Sequence, residues 1–156
     1  MKSIATCLWF NTEALEAATF YLSIFKDGKI GRILHYGKEG FEIHGKPEGS
    51  VMVVYFEING QGFQALNGGP EFKFNEAVSF VIPCESQEEI DYYWEKLTSN
   101  GGKEIQCGWL QDQYGVSWQV VPSILPELLE NADPNKSNKA MKNLLQMKKI
   151  IIQDLQ

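Results

Sequence analysis

The chain has 156 residues, 44% of them hydrophobic and 12% aromatic, enough for one well-buried domain or two small fused modules, and this excludes global disorder. A formal net charge of −6 argues against a nucleic-acid surface, because phosphate binding needs clustered Lys and Arg. Cys7, Cys84 and Cys107 are odd in number and widely spaced, so neither a disulfide framework nor a zinc site is predicted and a reducing, cytoplasmic setting is expected. The opening run M-K-S-I-A-T-C-L-W-F-N is interrupted by Asn11 and Glu13 before a signal-peptide core or a membrane span can form, so no membrane contact is expected.

Ile4 to Phe10 is β-rich, and Ala14 to Phe25 carries Leu15, Ala18, Tyr21, Leu22 and Phe25 at helical spacing. Asn11 or Thr12 is placed to cap that helix, and Gly28 ends it. Lys29 to Tyr36 resumes strand character, and residues 37–49 have the glycine, proline and charge content of a loop. Val51 to Ile58 and Phe63 to Leu66 flank Asn59-Gly60-Gln61-Gly62, a strong hairpin signal.

A glycine-containing linker, N-G-G-P-E-F-K-F-N, leads into a second pass through the same plan. Ala77 to Pro83 reads as a strand, and Ser86-x-x-Glu89 is a capping box for a helix with Ile90, Tyr93, Trp94 and Leu97 on one face. Asn100-Gly101-Gly102 stops it, and Lys103 to Leu110 and Val116 to Val121 supply closing strands around a turn through Asp112 and Gly115. In the last strand Val116, Trp118 and Val120 share an apolar face, while Ser117, Gln119 and Val121 share the other. Trp9, Trp94 and Trp118 are expected in packed positions, whereas Trp109 is placed to line the mouth of a cup, where its indole gives apolar area and one donor. His35 and His44 lack partner spacing and read as surface or hydrogen-bonded groups. Beyond Pro122, a helical turn over Leu125 to Glu130, a helix over Lys136 to Lys148 and a β-branched run from Ile150 to Ile152 follow. That run is expected to pack on the body or on a second chain.

The fold expected is α+β: two β-α-β-β-β modules forming curled, cupped sheets with a C-terminal helical extension. Module one spans residues 1–67, a linker 68–75, module two 76–122 and the extension 123–156. With two such halves and a D-x-x-G-x-x-x-[EQ] closing hairpin at Asp112 to Gln119, the chain resembles the vicinal oxygen chelate superfamily, which includes glyoxalase I, bleomycin-resistance proteins and extradiol dioxygenases. The strings L-W-F-N near the start, F-Q-A-L-N-G-G-P at 63–70, F-N-E-A-V-S-F at 74–80 and C-G-W-L-Q-D-Q-Y-G-V-S-W-Q at 107–119 resemble its PhnB-like branch, often labelled 3-demethylubiquinone-9 3-methyltransferase.

Enzymes of that superfamily hold a divalent metal in the cup, with His, Glu or Gln from the first, fourth, fifth and eighth strands. The resemblance puts those positions on Thr6, Gln64, Ser79 and Gln119. Two amides and two hydroxyls offer neutral oxygens only, so no metal is expected there. No G-x-G-x-x-G is present to suggest a methyl-donor site on a doubly wound sheet, and no cofactor is expected.

The leading reading is therefore a small-molecule-binding protein or a metal-independent enzyme, with Thr6, Gln64, Ser79, Trp109 and Gln119 facing the ligand. The alternatives are a metal-dependent lyase, isomerase or dioxygenase, and a methyltransferase as the label says. A homodimer is expected, since the superfamily commonly covers sheet edges with a second copy. The ligand's identity, whether any reaction is catalysed, whether the cup is closed within one chain or shared across a dimer, and the extension's role are open at this point.

Overall fold

The computed structural model describes residues 3–156, and the first two residues of module one lie outside them. The chain forms two compact units, one ending at Lys73 and one running from Phe74 to Gln156. The first contains β1 (Thr6–Phe10), α1 (Ala14–Ile24), β2 (Lys29–His35), a short α2 (Phe41–His44), β3 (Val51–Ile58) and β4 (Gln61–Asn67). The second contains β5 (Ser79–Cys84), α3 (Gln87–Thr98), β6 (Lys103–Glu104), β7 (Trp109–Gln111) and β8 (Ser117–Pro122). Three short helices close the chain: α4 (Leu125–Leu129), α5 (Pro134–Leu144) and α6 (Ile152–Leu155).

The repeat read from the sequence is present in the topology. The first sheet has the order β1-β4-β3-β2 and the second β5-β8-β7-β6, so each opening strand lies beside its module's last strand. Those pairs, β1 with β4 and β5 with β8, are parallel, and the remaining pairs are antiparallel. The class is thus α+β, with two mixed four-stranded sheets and a helical C-terminal part, as expected.

Period-two alternation builds each sheet's buried face. In β3, Val54, Phe56 and Ile58 are buried, and in β4 Phe63 and Ala65 are their counterparts. Against them lies α1 with Ala14, Ala17, Ala18, Tyr21 and Ile24, where Tyr21 stacks on Phe56 at 6.2 Å. The Asn59-Gly60 turn joins β3 to β4 with φ of 49° and 75°, the left-handed pair that a two-residue hairpin of this hand requires. Asn and Gly tolerate that conformation.

The cap of α1 departs from expectation. Neither Asn11 nor Thr12 caps it, and the N-cap residue Glu13 makes no side-chain cap bond. The N–H of Ala14 instead donates to Asn67 Oδ1 at 2.8 Å, and Asn67 Nδ2 donates to Val51 O at 3.1 Å. Asn67 is buried, so one amide at the end of β4 ties helix, β3 and β4 together.

In the second unit the Ser86 cap forms, with Ser86 Oγ accepting from Glu89 N at 3.2 Å, and the Glu89 carboxylate reaches back one residue beyond the N-cap to accept from Glu85 N at 2.7 Å. From α3, Ile90, Trp94 and Leu97 are buried with Ile82, Leu110, Trp118 and Val120 of the sheet. The strand expected over Lys103 to Leu110 is broken into β6 and β7, because Cys107 and Gly108 take φ of 61° and 80°. The Ile150 run packs on its own unit. Ile150 is fully buried and joins Leu144 and Leu155 in a cluster, and Gly108 approaches it so closely that a Cβ there would stand 2.8 Å from Ile150 Cδ1. Among the described residues no helix is long and apolar enough to cross a membrane.

Candidate functional site

Each sheet has one face against its helix and one face turned away from it. In the second sheet β8 sets the assignment: Trp118 and Val120 are buried towards α3, whereas Gln119 and Val121 are half-buried on the other face. Gln119 is in register with Trp109 on β7 and with Val81 on β5, and Ser79 is in register with Ser117. Residues paired across neighbouring strands share a face, so Ser79, Val81, Trp109, Ser117 and Gln119 form one patch. Gln119 Nε2 donates to Ser79 Oγ at 2.9 Å. Three residues singled out from the sequence, Ser79, Trp109 and Gln119, are therefore neighbours in fact.

The turn between β7 and β8 is what holds Gln119 in place. Asp112 is buried, and its Oδ1 accepts from Tyr114 N at 2.9 Å and Val116 N at 3.1 Å. Its Oδ2 accepts from Trp118 Nε1 at 2.9 Å, so one carboxylate fixes the turn and the strand that follows. The backbone closes the same turn, with Asp112 N donating to Val116 O and Gly115 N to Asp112 O, each at 2.9 Å. From the sequence Asp112 is a turn residue without this role; an Asp six residues before a Trp expected to pack is the available signal.

In the first sheet the register separates two residues expected together. Thr6 pairs with Phe63, on the face towards α1, and Cys7 pairs with Gln64 on the face turned away. Cys7, not Thr6, is thus the β1 side chain beside Gln64. A one-residue slip in counting back along a strand exchanges the faces. Gln64 also pairs with Tyr55, and both line a cavity of about 390 Å³ with Ile30, Gly31, Lys29 and Gly62. Tyr55 was not anticipated. Trp9, expected against helix or sheet, lies on the same face as Cys7, where its Nε1 donates to Gly69 O at 2.9 Å. Its ring meets Phe72 edge-on at 4.9 Å and covers Gly68, where a Cβ would stand 2.3 Å from the indole.

Lys29 and Glu57, in register across β2 and β3, also line the first sheet's cavity, but the donors at the positions singled out from the sequence are neutral. Gln64, Ser79 and Gln119 offer amide and hydroxyl oxygens, and desolvation raises the pKa of the Cys7 thiol, which disfavours the thiolate that binds metals. Among the described residues no three His, Cys, Asp or Glu side chains come together as a metal site. These residues do not fit a divalent transition metal. Nor do they fit a methyl donor of the usual kind, since β1 lies at the edge of a mixed sheet and runs into Asn11-Thr12-Glu13 rather than a glycine-rich loop. His44 contributes to neither face: its Nδ1 accepts from Lys46 N at 2.8 Å and its ring packs on Tyr36 at 4.7 Å.

Comparison with known proteins agrees with this architecture. A Bacillus cereus protein described as a putative 3-demethylubiquinone-9 3-methyltransferase, PhnB protein, is 34% identical, with 77% of this chain covering 99% of that one at a TM-score of 0.66. A Pseudomonas aeruginosa protein of known structure shares the fold at 19% identity and TM-score 0.59, covering 78% of this chain and 98% of that one. The fosfomycin resistance protein FosX from Listeria monocytogenes shares it at 16% identity and TM-score 0.52, covering 83% and 98%. No curated protein matches the chain. The class defined by this fold is the vicinal oxygen chelate superfamily, to which glyoxalase I also belongs. Residues 2–121 match the family described as 3-demethylubiquinone-9 3-methyltransferase, and the chain belongs to that PhnB-like family.

Proposed function

We propose that this chain binds a small, uncharged or weakly polar molecule, as a binding protein or as an enzyme that works without a metal. The observation that carries the reading is the Gln119–Ser79 hydrogen bond with Trp109 in register beside it. An amide, a hydroxyl and an indole converge there on a face with exposed Val81, which suits a partly apolar ligand with a few hydrogen-bonding groups. Gln64 and Tyr55 offer an amide and a hydroxyl on the first sheet, beside the charged Lys29 and Glu57. The family's methyltransferase description gains no support from these side chains. Native mass spectrometry of protein taken directly from cells tests the reading. A co-purifying organic molecule, displaced or weakened in Gln119→Ala, supports it; about one transition metal per chain, lost in Gln64→Ala or Gln119→Ala, overturns it.

The protein works as a homodimer in the same proposal. β5 is an edge strand of its sheet, and Val78, directly before it, is 68% exposed, an edge that a second copy covers. Light scattering at tens of micromolar decides it, and a monomer mass counts against it. Three thiols free of disulfides accord with a reducing cytoplasm.

A further inference from the structure

The polar patch on the second sheet is bounded at both ends of β8. At the Ser117 end Asn75 and Glu76 lie close, with the Ser117 hydroxyl donating to Asn75 O at 3.5 Å and the Gln111 amide to Glu76 Oε1 at 2.8 Å. Ser117 is only 1% exposed, so little of it remains for a ligand. At the Val121 end the C-terminal segment takes over. Val121 packs against the cluster of Leu144, Ile150 and Leu155. The N–H groups of Cys107 and Gly108, directly before Trp109, donate to Met147 O and Lys148 O at 2.7 and 2.8 Å.

The segment is fastened from α3. The Gln87 side chain donates to Ile150 O at 3.0 Å and accepts from Ile152 N at 2.9 Å, bracketing Ile151 as a neighbouring strand would. One turn on, Asp91 pairs with Lys149 at 2.6 Å. The family match ends at residue 121, before this segment begins.

We infer that residues 123–156 form an end wall to the Ser79–Trp109–Gln119 patch, so that it accepts a compact, ring-sized ligand and rejects one carrying a long tail along β8. The inference rests on the reading that this patch is the ligand site. Alternate residues on a strand stand about 7 Å apart, so Val121, already covered, is roughly one ring's length from Gln119. A tail running in that direction meets the C-terminal segment, which is packed over Val121 around the buried Ile150.

Two phenols of one head group and different length test this: 4-methylphenol and 4-hexylphenol, titrated into the full chain while the Trp109 indole N–H and the Gln119 side-chain amide are followed by NMR. The native protein should bind 4-hexylphenol no more tightly than 4-methylphenol, despite its greater apolar area. In Ile150→Ala, and in Gln87→Ala, which loosens the segment without removing core volume, 4-hexylphenol should gain at least tenfold while 4-methylphenol changes less than twofold. If Ile150→Ala does not fold, Gln87→Ala gives the same reading. Tighter binding of 4-hexylphenol by the native chain, or the same ratio of affinities in all three proteins, overturns the wall and leaves the site standing. If neither phenol shifts the Trp109 and Gln119 signals, the site reading fails and the wall falls with it.

Discussion

Trp118 donates its indole N–H to Asp112 Oδ2 at 2.9 Å, and both residues are buried. The bond links the turn to the middle of β8, one position before the amide that faces the candidate site. Replacing Asp112 by Ala removes acceptors for the Trp118 indole and for two backbone N–H groups in one change. Each buried donor left unpaired costs about 1–3 kcal/mol. Asp112→Ala should therefore lose at least about 3 kcal/mol in a denaturant melt, and Asp112→Asn less, because it keeps an acceptor for the backbone. Equal, small losses in both would show that the turn does not depend on the carboxylate.

Cysteine reactivity offers a second check. Cys84 is buried, and burial together with Glu89 and Glu85 pushes its thiol up to about 12. Cys7 is exposed as a residue, although desolvation raises its thiol as well. At pH 8 a disulfide reagent should label Cys7 in the folded protein and Cys84 only after unfolding. The sign for stability follows from the raised value: the contribution of Cys84 is complete below the unfolded thiol pKa of about 8.5. It is lost as pH rises from there towards the folded value. Rapid labelling of Cys84 in the native state would contradict its placement.

Much of this was legible locally, and the failures have physical causes. The Asn59-Gly60 hairpin, the Ser86 cap and the two faces of β8 are encoded within a few residues of themselves, and all three are present. The capping of α1 by Asn67 joins residues 53 positions apart, and no local pattern announces it. The break between β6 and β7 arises because Cys107 and Gly108 donate to Met147 O and Lys148 O, a tertiary demand on a stretch that otherwise reads as strand. Thr6 and Cys7 differ by one step, and only the pairing with β4 decides which of them faces away from α1.

Acid should loosen the C-terminal segment before the rest of its unit. The hydrogen bond from Lys149 to Asp91, with a second from Gln87, holds the Asp91 carboxyl below its usual range. A lowered folded pKa means that the pair's contribution is present above the unfolded carboxyl value of about 3.9 and fades as pH falls through the folded one. Asp91 is 50% exposed, so the amount is well under about 1 kcal/mol and shrinks in salt. Exchange protection at the Ile152 amide, corrected for intrinsic rate, should fall below pH 4 in the native chain. In Asp91→Asn it should be lower at pH 7 and insensitive to that change. An unaltered pH response in Asp91→Asn would remove the ion pair from the fastening.

Two amides, one from each unit, give the sharpest test of which groups are structural and which are available to a ligand. Asn67 is buried, and its side chain serves Ala14 N in a buried bond and Val51 O in a part-buried one. Asn67→Ala should cost roughly 2–6 kcal/mol, about 1–3 for each of the two backbone groups left without their partner. Gln119 is half-buried, and its amide donates to the hydroxyl of Ser79, which rotates and which solvent can satisfy. Gln119→Ala should cost about 1 kcal/mol or less, whereas Trp118→Ala, one residue earlier on the buried face, should cost roughly 3–5. Denaturant melts of the three variants need no knowledge of the ligand. If Gln119→Ala proves as damaging as Trp118→Ala, the amide is part of the packed structure, and the patch with Ser79 and Trp109 cannot be the surface that meets a ligand.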